Sequence, residues 1–146
     1  MSKKLKKLED KGKMILETKN LIVNKKGGLI EKALFFRIQK IQKDILGENY
    51  NLAINFVSPS IAQNLNIQYR KKDYIPNILS FPLSKNNGEI FICLSVARKE
   101  AKKFSLSYEN FLTLLIVHGC LHLKGLDHGE EMEKKEKIYL KKYMLK

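Results

Sequence analysis

The period of apolar and polar positions changes several times along this chain, and each change marks an element. Residues 1–13 are lysine-rich, reach Gly12 and read as a frayed or helical basic extension. The stretch 14–24 is rich in strand formers and predicts an early strand around Asn20–Asn24. Lys25-Lys26-Gly27-Gly28 breaks it. From Leu29 to Leu46 the apolar positions Leu29, Ala33, Phe36, Ile38, Ile41 and Ile45 recur near helical spacing, and Gly47 stops that helix. Tyr50 to Val57 alternates as a strand does. Ser58-Pro59 starts a short helix that ends near Asn66 or Ile67. Residues 68–77 predict a polar basic loop. Ile78–Phe81, closed by Pro82, and Glu89–Leu94 predict a hairpin around a turn at Ser84–Gly88. Val96 to Phe104 reads as a basic helix.

Ser107 suits the cap of a helix from about Tyr108 to Lys124. Phe111, Leu112, Leu114, Leu115, Ile116, Val117, Cys120, Leu121 and Leu123 make it apolar nearly all round, the mark of a buried helix. Residues 129–146 predict a charged final helix, with acids early and lysines late as the helix dipole prefers.

Composition narrows the class. A chain of 146 residues with 44% hydrophobic content fits one domain, residues 1–146, with a core of its own. No apolar run reaches the length of a membrane span, so no membrane partner is expected. The first ten residues have no apolar stretch of a secretory signal. Cys93 and Cys120 form no CxxC pair and no disulfide framework; they read as reduced core cysteines of a cytoplasmic protein. The net charge of +13 fits either a polyanion partner, RNA or DNA, or a surface merely solvated by lysine, which far outnumbers arginine.

The chemistry concentrates in one place. All three histidines fall at His118, His122 and His128, in the spacing H-x3-H-x5-H, with Gly125 between the second and third. Two imidazoles one helical turn apart share a face. A glycine after them can end the helix in a left-handed conformation and let the chain return a third ring. Three neutral imidazoles suit a divalent transition metal, zinc first, and leave a fourth position for water, as catalytic sites do. Three separate core histidines would each need a partner of their own on a buried helix. The spacing also matches the metzincin pattern HExxHxxGxxH, except that Gly119 stands where the general base of peptide hydrolysis belongs. A peptidase therefore lacks its proton acceptor, and the site must find another base. Asp127 is either an acceptor behind the ligands, or a base, or a turn aspartate.

His118-Gly119-Cys120-Leu121-His122-Leu123-Lys124-Gly125-Leu126-Asp127-His128 closely resembles the HGxLHLxGxDH signature of the YbeY family, bacterial zinc-dependent endoribonucleases of ribosomal RNA maturation. Upstream, Leu65 to Asp73 followed by Leu79-Ser80-Phe81-Pro82 is similar to the family's LNxxYRxKDxPT and VLSFP segments, and Gly88 to Cys93 resembles its GDIxIC strand. Ile75-Pro76 departs from the family's Pro-Thr, with Asn77 keeping the polar position. The resemblance implies an α+β fold: a small mixed sheet of about four strands with helices against it, and the histidine helix central. It implies one zinc ion held by His118, His122 and His128 plus water, with Arg70 and His118 catalytic. Arg70 would grip the phosphate, since a planar guanidinium can stabilise developing negative charge. Asn66 and Ser80 would line the cleft or serve as turn residues, and Lys71 and Lys72 would touch the RNA backbone. The activity implied is single-strand-specific, metal-dependent endoribonuclease action in 3′-end maturation of small-subunit ribosomal RNA and in ribosome biogenesis. Ribosomal RNA, the small subunit or its assembly proteins would be the partners. Two rival classes are a non-catalytic zinc-containing RNA-binding assembly factor and a metal hydrolase of another substrate class. Chelator-sensitive RNA cleavage separates both from the nuclease.

Overall fold

Two-residue alternation builds the sheet. In the computed structural model, which describes residues 6–10 and 12–145, β2 (Lys13–Glu17) buries Met14 and Leu16, and β3 (Leu21–Lys26) buries Leu21 and Val23. Further along, β4 (Asn51–Phe56) buries Leu52, Ile54 and Phe56, and β6 (Asn87–Ile92) buries Ile90 and Ile92. Successive residues point to opposite faces, so these side chains line one face and form the core. With β1 (Lys6–Asp10) and β5 (Ile78–Ser84) the sheet has six strands in the order β1-β2-β3-β4-β6-β5. The β3–β4 and β4–β6 pairs are parallel and the others antiparallel, giving a mixed sheet.

The sheet thus has two more strands than the four expected. Residues 6–10 are a strand rather than a frayed or helical extension, hairpinned onto β2 beside Gly12, whose φ of 74° suits glycine. Lysine-rich sequence hides this because strand preference depends on the neighbour strand more than on the residue itself. The stretch 14–24 holds parts of two strands, separated by a turn in which Thr18 N–H donates to Leu21 O at 2.8 Å.

The opposite face of the sheet carries two amide ladders. Asn24 Nδ2 donates to Asn55 Oδ1 at 2.9 Å, and Asn55 Nδ2 to Glu89 Oε1 at 3.0 Å. Asn20 Nδ2 donates to Asn51 Oδ1 at 2.9 Å, Asn51 Nδ2 to Asn87 Oδ1 at 3.0 Å, and Asn87 Nδ2 to Ser84 Oγ at 2.6 Å.

Helices cover the core face. α1 (Lys32–Leu46) buries Phe35, Ile38, Ile41, Gln42 and Ile45 and ends at Gly47. It starts later than Leu29, because Gly27 and Gly28 both take positive φ; Leu29 and Phe36, expected on its buried stripe, are exposed. α2 (Pro59–Arg70) is capped by Ser58, whose Oγ accepts from Ile61 N–H, and carries Pro59 in its first turn. α2 runs to Arg70, past the end expected near Ile67. α3 (Leu94–Lys103), α4 (Tyr108–Leu123) and α5 (Glu130–Tyr143) follow. α4 is the central element, touching α1, α3, α5 and β5. Among the described residues no single helix is long and apolar enough to cross a membrane.

Candidate active site

α4 brings His118 and His122 to its C-terminal end. Ser107 Oγ accepts from Asn110 N–H at 3.1 Å and fixes where the helix begins. Gly125 follows with φ of 103°, its N–H donating to His122 O at 2.9 Å while Leu126 N–H donates to Leu121 O at 3.1 Å. These bonds satisfy the last carbonyls and turn the chain back, so that His128 rejoins the other two rings. The ring centroids are 4.6, 5.1 and 4.8 Å apart, and one nitrogen of each ring lies within 4.8 Å of the others. Nε2 of His118 and Nε2 of His122 are 3.1 Å apart. Two nitrogens on a tetrahedral zinc sit about 3.3 Å apart, so this edge already has the length that such an ion needs. The donor set fits a divalent metal.

Gly119 is explained by packing. A Cβ there would come within 2.9 Å of Ile78 Cδ1 and Ile90 Cδ1 and within 3.0 Å of Ser80 Oγ. The helix therefore lies directly on β5 and β6 at this residue, and any side chain forces those atoms to shift, a glutamate far more than an alanine. Cys120, also between ligands, is fully buried, and burial pushes its thiol up to about 12, which rules it out as a nucleophile near neutral pH.

The rings are tuned from behind. Glu136 on α5 places Oε1 2.7 Å from His118 Nδ1. The carboxylate holds a proton on Nδ1, which leaves the Nε2 lone pair facing the other rings. Burial, then the charges of His118 and His128, lower the pKa of His122, opposed by a hydrogen bond to the Leu126 backbone and by Asp127. The neutral imidazole is the form that binds metal. Asp127, expected behind the ligands, is exposed and makes no hydrogen bond among the described residues; it acts on His122 through charge alone. Sequence reasoning missed Glu136, whose place in an acidic-then-basic helix reads simply as dipole matching.

The histidines open into a cavity of about 720 Å³, with Arg70, Tyr74, Ser80 and Glu100 also in its walls. Arg70, expected in a loop, is the last residue of α2; its Nη1 donates to Tyr74 Oη at 3.3 Å and Asn66 Oδ1 at 3.4 Å. Asn66, expected to touch substrate, is 0% exposed and is not part of the cavity wall. Its Nδ2 donates to Tyr74 O at 3.0 Å and its own carbonyl accepts from Lys72 N–H, so it braces the segment beyond Arg70. Lys71 and Lys72 are exposed and lie outside the cavity wall, with Lys71 Nζ donating to Gln68 O at 3.2 Å. Ser80 lies in the cavity wall. No local sequence signal marks Tyr74 or Glu100 as cavity residues.

An ion held by three histidines keeps a position for water, and a guanidinium in the same cavity offers a seat to an anionic oxygen. That combination defines a metal-dependent hydrolase of anionic substrates. The family model described as Endoribonuclease YbeY matches residues 17–146, and the chain belongs to this family. The match leaves out β1 and nearly all of β2. The chain is 37% identical over 124 residues to an Endoribonuclease YbeY of Finegoldia magna, covering 77% of this chain and 79% of that one. It is 40% identical over 99 residues to the Polynucleobacter asymbioticus protein of the same description, covering 65% of this chain and 64% of that one. A solution structure of the Thermotoga maritima protein TM1509 superposes with a TM-score of 0.59 at 26% identity, covering 85% of this chain and 87% of that one.

Proposed function

We propose that this chain works as a single-domain, zinc-dependent endoribonuclease of the cytoplasm that cuts single-stranded RNA in the 3′-end maturation of small-subunit ribosomal RNA. The observation that carries this reading is the meeting of three histidines and Arg70 in one cavity. His118, His122 and His128 would hold the ion, and their nitrogen donor set suits zinc. Such an ion, when bound, polarises a phosphoryl oxygen and lowers the pKa of water. Arg70 binds the scissile phosphate and offsets the charge that builds on its oxygens. Tyr74 holds the guanidinium in place, and Glu136 keeps His118 in one tautomer.

A flexible single strand can bend a phosphodiester into a walled cavity; a stiff duplex presents its phosphates along a regular groove instead. The +13 charge favours the RNA backbone and makes binding fall steeply with salt. The small ribosomal subunit and its assembly proteins would be the setting in which the substrate is met. The buried free thiols of Cys93 and Cys120 fit a reducing compartment. The test is cleavage of one RNA sequence as single strand and as duplex, with chelator and with zinc restored. We expect cleavage of the single strand only, lost with chelator and regained with zinc. RNA bound but never cut by the zinc-loaded protein would overturn the reading.

A further inference from the structure

A second cavity, of about 380 Å³, opens on the α5 side of the histidines. It shares Asn77, Ile78, Glu100, His118 and His128 with the larger one, so the two flank the same centre. Their chemistry differs. The larger cavity contains Arg70; no lysine or arginine lines the smaller one. Its wall is aromatic and aliphatic: Phe104 and Phe111 stack with centroids 5.7 Å apart and planes 13° apart, and Phe104 is 63% exposed. Apart from the imidazoles of His118 and His128, its polar side chains are the amide of Asn77 and the carboxylates of Glu100, Glu133 and Glu136. Glu100 Oε2 accepts from Asn77 Nδ2 at 3.3 Å, and Glu136 is occupied by His118.

Away from the histidines, carboxylates with no lysine or arginine beside them repel phosphate, so the backbone of a strand does not run through this chamber. Nor do these carboxylates form a second metal site: among the described residues only the three histidines converge closely enough. The part of RNA that suits a phenyl wall with acceptors beside it is a base, which stacks on aromatic rings and offers hydrogen-bond donors from its edge. We infer that this chamber seats the nucleobase next to the scissile phosphate, and that Glu100, braced by Asn77, selects a base bearing an exocyclic amine. Cytosine, adenine and guanine each carry that donor, whereas the one edge donor of uracil is its ring N3–H, flanked by two carbonyl oxygens that the carboxylate repels. The inference rests on the nuclease reading above and adds a substrate preference to it.

The experiment uses zinc-loaded full chain and four single-stranded RNAs that differ at one nucleotide within a uridine tract. The readout is kcat/KM at the bonds flanking that nucleotide. Wild type is expected to favour adenosine, cytidine and guanosine over uridine by about tenfold. Glu100→Gln should bring that ratio toward one, because an amide both donates and accepts while its oxygen still receives the Asn77 bond. Phe104→Ala should raise KM for all four RNAs. Zinc content and cooperative melting of both variants establish that they are folded. A wild type indifferent to the nucleotide overturns the inference. So does a Glu100→Gln variant slowed equally on all four, which would assign Glu100 to the chemistry. If no RNA is cut, the nuclease reading fails, and titration with cytidine and uridine monophosphates decides the chamber separately. Tighter cytidine binding that Glu100→Gln abolishes supports it, and equal binding overturns it.

Discussion

Ten of the sixteen residues of α4 are buried, whereas α2 buries only Ala62 and Asn66. The histidine half of the candidate site stands on the end of the first of these helices and the turn after it, which carries His128, and the Arg70 half on the end of the second. The difference follows from what each half must do. Metal ligation fails when donors drift by tenths of an ångström, and a close-packed interior resists such drift. A guanidinium on a long side chain can follow a phosphate, and needs only a brace such as Asn66 and Tyr74. Dense packing is placed beneath the histidines, and Arg70 is left at the surface.

The largest expected effect comes from breaking the dense half at its chemistry. His122→Ala should lower RNA cleavage by about 10³-fold or more and cut the zinc bound per chain, measured by elemental analysis beside an activity assay. Zinc retained at full stoichiometry would show that the three rings are not one site. Next, Arg70→Ala should cost about 10²-fold in kcat/KM while zinc content and melting stay those of the wild type. A large loss of stability would mean that the Arg70 half is structural after all, and the contrast would collapse. Glu136→Gln should weaken zinc binding by about 10- to 100-fold in a chelator competition, since the carboxylate no longer fixes the His118 tautomer. The smallest effect is a change of one methyl group. Gly119→Ala gains up to about 1 kcal/mol of helix propensity and loses about 1–3 kcal/mol to overpacking against Ile78 and Ile90. A net destabilisation near 1–2 kcal/mol in urea unfolding is expected. A stabilised variant would show that the contact between α4 and the sheet is looser than the distances imply.

How much of this could be read from the chain follows the range of each interaction. The meeting of the three histidines and the Gly125 turn are encoded within eleven residues, and local spacing reveals both. The central place of α4 followed from its all-round apolar character. Glu136 meets His118 across eighteen positions and a helix boundary, which no periodicity reveals. Gln68, Tyr69 and Arg70 extend α2 with an exposed face, so no apolar period marked them as helical. Asn66 looked like a polar cleft residue; backbone partners allow it to be buried instead. β1 was hidden because a strand of KKLED needs β2 beside it before it becomes one.

The amide ladders on the open face bear on how the chain finds its pairing. Parallel neighbours such as β3–β4 and β4–β6 form between distant stretches of sequence, and such pairings are slow and prone to slip. A one-residue slip would turn every core side chain outward and also separate Asn24 from Asn55 and Asn55 from Glu89. Each ladder therefore acts as a checksum on alignment, rewarding only the pairing in which β6, and β5 beyond it, arrive in phase beneath the histidines.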